Sequence, residues 1–201
     1  MTDLGAIGGT FTSATWLNDA GEVIGIGSTT GDTALHAFVW RHNIISDLGT
    51  VAGDNNSSAN SINNKGQVVG GSWFWDGQQT TALHAFLWEG EGPSVDLSTV
   101  ITNPTDLSLN EASFITDRGW IIVNGTLPNG DIRVGILIPE GDAENLNLAT
   151  TAQNGEPIVK PAPPQPAKLS AVTKQWLPRD YRSQSLAKYS TQLHGYQRQK
   201  K

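Results

Sequence analysis

Two histidines, His36 and His84, are the side chains best suited to move a proton or hold a metal near neutral pH. Both stand in one recurring string, Ala34-Leu35-His36-Ala37-Phe38-Val39-Trp40 and Ala82-Leu83-His84-Ala85-Phe86-Leu87-Trp88. A histidine fixed at one position of a repeated strand reads as a structural group, its ring bonded to a turn or to backbone. Asp32, Asp54, Asp76 and Asp131 sit in Gly- and Asn-rich stretches that suit Ca²⁺, but none has the spaced ligand string of a calcium loop, and turn formation accounts for them. Glycoside hydrolysis needs two carboxylates converging on one bond, and nothing in the spacing shows convergence. Gly25-Ile26-Gly27 and Gly70-Gly71 precede no helix, so they are not phosphate loops, and no nucleophile elbow is present. The chain has no cysteine, which removes thiolate chemistry and disulfides. No catalytic residue, metal ligand or cofactor is assigned, and the chain is read as a non-enzyme.

Flat aromatic faces stack on sugar rings, and Trp16, Trp40, Trp73, Trp75, Trp88 and Trp120 supply several. Trp40 and Trp88 alternate with core-type residues, so burial between structural layers is expected of them. Trp73-Phe74-Trp75 differs, because Ser28-Thr29-Thr30 stands at the corresponding place of the first repeat. These three residues are the ligand-binding candidates.

The elements that must position them follow from an internal repeat of about 45 residues. Asp3-Leu4-Gly5-Ala6-Ile7-Gly8-Gly9 returns as Asp47-Leu48-Gly49-Thr50-Val51-Ala52-Gly53, and weakly as Asp96-Leu97-Ser98-Thr99-Val100. Asn18-Asp19-Ala20-Gly21 and Asn63-Asn64-Lys65-Gly66 are hairpin turns: Asn18 and Asn63 bond nearby backbone, and Gly21 and Gly66 accept positive φ. In the first copy the short apolar runs predict strands near residues 11–17, 22–28, 34–40 and 43–48. The third copy keeps the pattern through Glu111–Val123, but Gly135-Ile136-Leu137-Ile138-Pro139 replaces His-Ala-Phe-Leu-Trp. Tandem four-stranded units of this length predict an all-β fold, a partial β-propeller-like array of three four-stranded blades at about 3–46, 47–95 and 96–150.

Charge divides the chain. Residues 1–150 hold 4 basic and 17 acidic residues, and residues 151–201 hold 9 basic and 2 acidic ones. An acidic body repels phosphate, so nucleic acid is expected as a partner only through the tail. Residues 151–167 form a Pro-rich linker, and 168–201 a basic tail, read as disordered. No apolar run is long enough to span a bilayer as a helix, and the N-terminal residues do not resemble a signal peptide.

The opening Asp-Leu-Gly, the Asn-Asp-x-Gly hairpin and the His-Ala-Phe-aliphatic-Trp strand, at residues 3–40 and 47–88, resemble the bacterial HAF-repeat extracellular proteins. The resemblance covers roughly residues 3–140 and implies export, a propeller-like architecture and no established reaction. It therefore implies a binding or structural module for carbohydrate or protein at the cell surface. The alternative is part of a propeller-scaffold hydrolase whose catalytic blades lie outside this chain. Three blades leave open faces, so self-association or further upstream repeats are expected.

Overall fold

Short β-branched and aromatic runs bounded by Gly or Asx residues become strands in the computed structural model, which describes residues 1–51, 53–102 and 105–140. The first sheet holds β1 (Thr12–Leu17), β2 (Val23–Ser28), β3 (Leu35–Arg41) and β4 (Ile44–Asp47), in that spatial order. The second repeats it with β5 (Asn56–Ile62), β6 (Val68–Trp75), β7 (Thr80–Trp88) and β8 (Val95–Asp96). The third has β9 (Ser108–Ile115), β10 (Ile121–Thr126) and β11 (Ile132–Leu137), in the order β11-β10-β9. All pairings are antiparallel. The fold is thus all-β, and the strand positions expected for the first repeat are each met to within a residue or so.

The third sheet departs from expectation in having three strands among the described residues rather than four. Its last strand stops at Leu137, and Pro139 has no N–H to give to a ladder. The Pro-rich linker at 151–167 and the basic tail at 168–201 lie outside the described residues.

The sheets stack in one direction. Ile24, Ala37 and Val39 of the first sheet share an apolar cluster with Ala59, Ile62, Val68, Phe86 and Trp88 of the second. Val69 and Ala85 share the next cluster with Ala112, Ile115, Ile121 and Val123 of the third, with Leu87 packed against it. Ladder register makes these sets equivalent, since Ile24 opposes Val39, Val69 opposes Leu87 and Ile122 opposes Ile136. The first and second sheets therefore each pack a forward face on the rear face of the next. Period-two alternation gives every strand one residue for each face, which lets both sides of the second sheet be buried.

The opening loop of each repeat joins the same pattern. Leu48 and Leu97 are 4% and 2% exposed and sit in the first and second clusters respectively. Each follows an aspartate that caps the turn: Asp47 Oδ1 accepts from Gly49 N at 2.7 Å, and Asp96 Oδ1 from Ser98 N at 2.8 Å. Asp3 does the same for Gly5 N at 3.0 Å. The weak third copy of Asp-Leu-Gly is thus a structural equivalent. Asp47 opposes Phe38 in the ladder as Asp96 opposes Phe86.

Candidate functional site

The recurring strand is built around a glycine on its neighbour. Phe38 opposes Gly25 and Phe86 opposes Gly70. A Cβ on Gly70 would meet Ser58 O at 2.0 Å and the Phe86 ring at 2.9 Å, so the ring occupies space that only glycine leaves open. Both phenylalanines are almost wholly buried. In the third sheet the sizes are exchanged: Val123 stands at the glycine position and Gly135 opposes it. This register corrects the reading of the third copy. Gly135 replaces the phenylalanine, not the histidine, and Arg133 occupies the histidine position. With the aromatic residues lost, the local sequence carries no anchor for this strand, and only the ladder fixes its register.

His36 and His84 each bond an aspartate, His36 that at the end of β4 in its own sheet and His84 that of the connection between β4 and β5. His36 Nδ1 lies 2.8 Å from Asp47 Oδ2 and 3.0 Å from Oδ1, and His84 Nδ1 lies 2.9 Å from Asp54 Oδ2. Burial raises the Asp47 carboxyl, but the bonds from His36 and Gly49 and the His36 charge outweigh it and hold the group below its usual range. Asp54 is 1% exposed at its side chain, with Oδ1 buried and without a hydrogen-bond partner. Neither ring is brought to a third ligating group: among the described residues no cluster of three His, Asp or Glu could hold a metal. The geometry makes His36 a tie between β3 and the end of β4, and His84 a tie between β7 and the connection from β4 to β5.

The other motif residues divide by position in the stack. Trp88 is 5% exposed between the sheets, donates from Nε1 to Gly92 O at 3.1 Å and lies 5.1 Å below the Arg41 guanidinium. Arg41 Nη2 also donates to Gly90 O at 2.7 Å, fastening the first sheet to the second. Trp40, its equivalent, is only half-buried, because it lies on the rear face of the first sheet; burial between layers is not realised there. Trp16 is likewise exposed.

The hairpin turns do more than reverse the chain. Gly21, Gly66 and Gly119 take φ of 77°, 76° and 86° and each donates its N–H to the residue three before it. Asn18 Nδ2 then donates to Asn63 O at 3.0 Å, and Asn63 Nδ2 to Thr116 O at 2.9 Å, so each turn bonds the next. A second tier runs beside it, from Asp19 N to Asn64 Oδ1 at 3.0 Å and from Asn64 N to Asp117 Oδ1 at 2.8 Å. Asn64 Nδ2 spans both neighbours, reaching Asp19 Oδ2 at 2.8 Å and Asp117 Oδ2 at 3.1 Å. A third tier comes from bulges in β1 and β5, which aim Thr15 Oγ1 at Ala59 O (2.8 Å) and Asn60 Nδ2 at Ala112 O (2.9 Å). The sequence marked Asn18 and Asn63 as turn formers and missed this ladder. Its signal was there: Asx residues recur at the same place in three repeats.

Asn60 also donates to Glu111 Oε1 at 2.9 Å. Glu111 lies against Gly71, between the second and third sheets, and burial pushes its carboxyl above the usual range although the Asn60 bond works the other way. Of the turn aspartates, Asp76 accepts from Gln79 N and Gln78 N, each at 2.8 Å, and these bonds hold it below the usual range. Asp131 pairs with Arg133 Nη2 at 2.6 Å, and Asp32 accepts from Thr10 N at 2.8 Å and Ser28 Oγ at 2.7 Å.

The ligand candidates lie at the end of β6. Trp73 is 8% exposed and opposes Leu83, as Ser28 opposes Leu35 in the first sheet. Phe74 and Trp75 continue the ladder beyond that point, opposing Ala82 and Thr80. Phe74 is 36% exposed, and Trp75 is half-buried with its backbone held by Asn55, Oδ1 accepting from Trp75 N at 2.8 Å and Nδ2 donating to Trp75 O at 2.9 Å. The three are thus consecutive on one strand, with Trp73 inside the sheet stack and the next two on an extension of it.

Comparison with known proteins gives no match to a family model, to a curated protein or to a solved structure.

Proposed function

We propose that this chain is a non-catalytic repeat protein of the HAF-repeat kind, working outside the cell as a binding module for carbohydrate or protein, with its stacked sheets forming part of a propeller. The architecture part of the reading is supported by the one-directional stacking, in which forward face meets rear face twice in succession. The binding part rests on one observation. The β6–β7 hairpin runs two residue pairs beyond its counterpart in the first sheet, and that extension carries Phe74 and Trp75 into the Asp76–Gln79 turn. Phe74 and Trp75, on opposite faces of that two-stranded extension, each offer one ring to a sugar face or an apolar side chain, and Asn55 holds the backbone behind them.

The test is ligand binding to the intact chain, followed by tryptophan fluorescence and a glycan array, with Phe74→Ala and Trp75→Ala beside it. The variant that removes the contacting ring should lose binding by about ten-fold or more, while both keep their melting temperature within a few degrees. Binding that survives both substitutions overturns the assignment of the site, and turnover of the bound glycan overturns the non-catalytic reading.

A further inference from the structure

We infer that two copies of this chain associate head to tail, the forward face of the third sheet of one copy docking on the rear face of the first sheet of the other. Both faces are the register equivalents of surfaces that are buried elsewhere in the same molecule. On the forward side, Ile122, Val134 and Ile136 correspond to Ile24, Ala37 and Val39 of the first sheet. The three in the first sheet are at most 1% exposed, whereas those in the third are 40%, 72% and 51% exposed. On the rear side, Leu17, Val23 and Trp40 correspond to Ile62, Val68 and Trp88 of the second sheet. Those of the second sheet are 4%, 0% and 5% exposed, while Leu17 is 62% exposed and the other two are half-buried.

The occupant that fits such a pair of faces is the one already used twice within the chain. Forward meets rear between the first and second sheets and again between the second and third, and the contact between copies continues that series. It is heterologous: the two surfaces differ, so a forward face does not pair with another forward face. Two copies docked reciprocally satisfy both faces of each.

The polar ladder sets the strength of this junction. Inside the chain, each rung of the outer tier sets an amide side chain against a carboxylate, Asn64 against Asp19 and Asn64 against Asp117. Between copies the same register sets Asp117 of one against Asp19 of the other, carboxylate against carboxylate. Thr116, at the position of Asn18 and Asn63, also has no amide to extend the inner tier. The junction is therefore apolar at its centre and weakened at its turn edge.

Sedimentation velocity on the full chain tests this, with Val134→Lys disabling the forward face and Leu17→Lys the rear face; both sites are exposed, and circular dichroism checks that the sheets are intact. The wild type should rise above its 21.5 kDa monomer mass as concentration increases. Each variant alone should stay monomeric, and an equimolar mixture should recover a 1:1 pair, since each supplies the face the other lacks. Asp19→Asn, which restores an amide opposite Asp117, should tighten wild-type association by about ten-fold. A wild type that stays monomeric at every concentration overturns the inference, as does a Leu17→Lys chain that still pairs with itself. An Asp19→Asn chain that associates no better than wild type overturns the register assigned to the junction.

Discussion

Asn63 is a buried side chain that both closes its own turn and reaches the turn of the next sheet, so Asn63→Ala tests the two together. The side chain is 3% exposed and makes four hydrogen bonds. Nδ2 donates to Gln67 Oε1 at 2.7 Å and to Thr116 O at 2.9 Å, while Oδ1 accepts from Lys65 N and Gln67 N, each at 3.0 Å. Alanine removes all four. Lys65 N and Gln67 N lie near the turn surface and recover water in part, whereas Thr116 O faces the neighbouring turn. At about 0.5–1.5 kcal/mol net per bond, with partial rehydration at two of them, the expected loss is about 2–4 kcal/mol. Urea unfolding with an unchanged m-value measures it. Asn63→Asp separates the donor from the acceptor role, because a carboxylate keeps the two turn bonds but sets negative charge against Thr116 O. It should destabilise at neutral pH and recover part of the loss once the new carboxyl is protonated and can donate. A loss under about 0.5 kcal/mol for Asn63→Ala, as expected for a surface substitution, would refute the idea that this buried amide holds its turn and ties it to the next.

Gly70→Ala should destabilise by about 1–3 kcal/mol or more, since the nearest obstacle is the Ser58 carbonyl, whereas Gly71→Ala, whose nearest neighbour is Glu111 Cγ at 3.5 Å, should be tolerated; thermal melts of both check the contrast. Phe86→Ala should cost about 3–5 kcal/mol in chemical denaturation, because the ring fills the space over Gly70 and is completely buried. The raised carboxyl of Glu111 binds its proton more tightly folded than unfolded, so its stabilising contribution is full at acid pH and is lost as pH rises through the folded-state value. Glu111→Gln should therefore be more stable than wild type at pH 7, with the gap narrowing as pH falls; a gap independent of pH would refute it. Asp47 acts in the opposite sense: its lowered carboxyl stabilises above the ordinary aspartate range and that contribution is lost on acidification, so Asp47→Asn should flatten the acid limb of the stability profile.

The sequence by itself determined the strands and turns of the first two repeats. Period-two alternation, the Asx-x-x-Gly turns and the matched strings around His36 and His84 are local signals, and each becomes the hairpin or strand that its chemistry requires. It also singled out Trp73-Phe74-Trp75, because they interrupt the repeat. What it left undetermined depends on which face of a sheet is covered. Trp40 and Trp88 stand at the same place in matched strings, yet only Trp88 is enclosed, since a sheet precedes its own in the stack. The exchange of Phe for Gly in the third sheet is invisible without the ladder, because only the register shows that Val123 and Gly135 trade the sizes of Gly25 and Phe38. The Asx ladder is likewise a tertiary property: Asn63 and Asn64 form their turn from local sequence, but what their amides reach across to is decided by how the sheets stack.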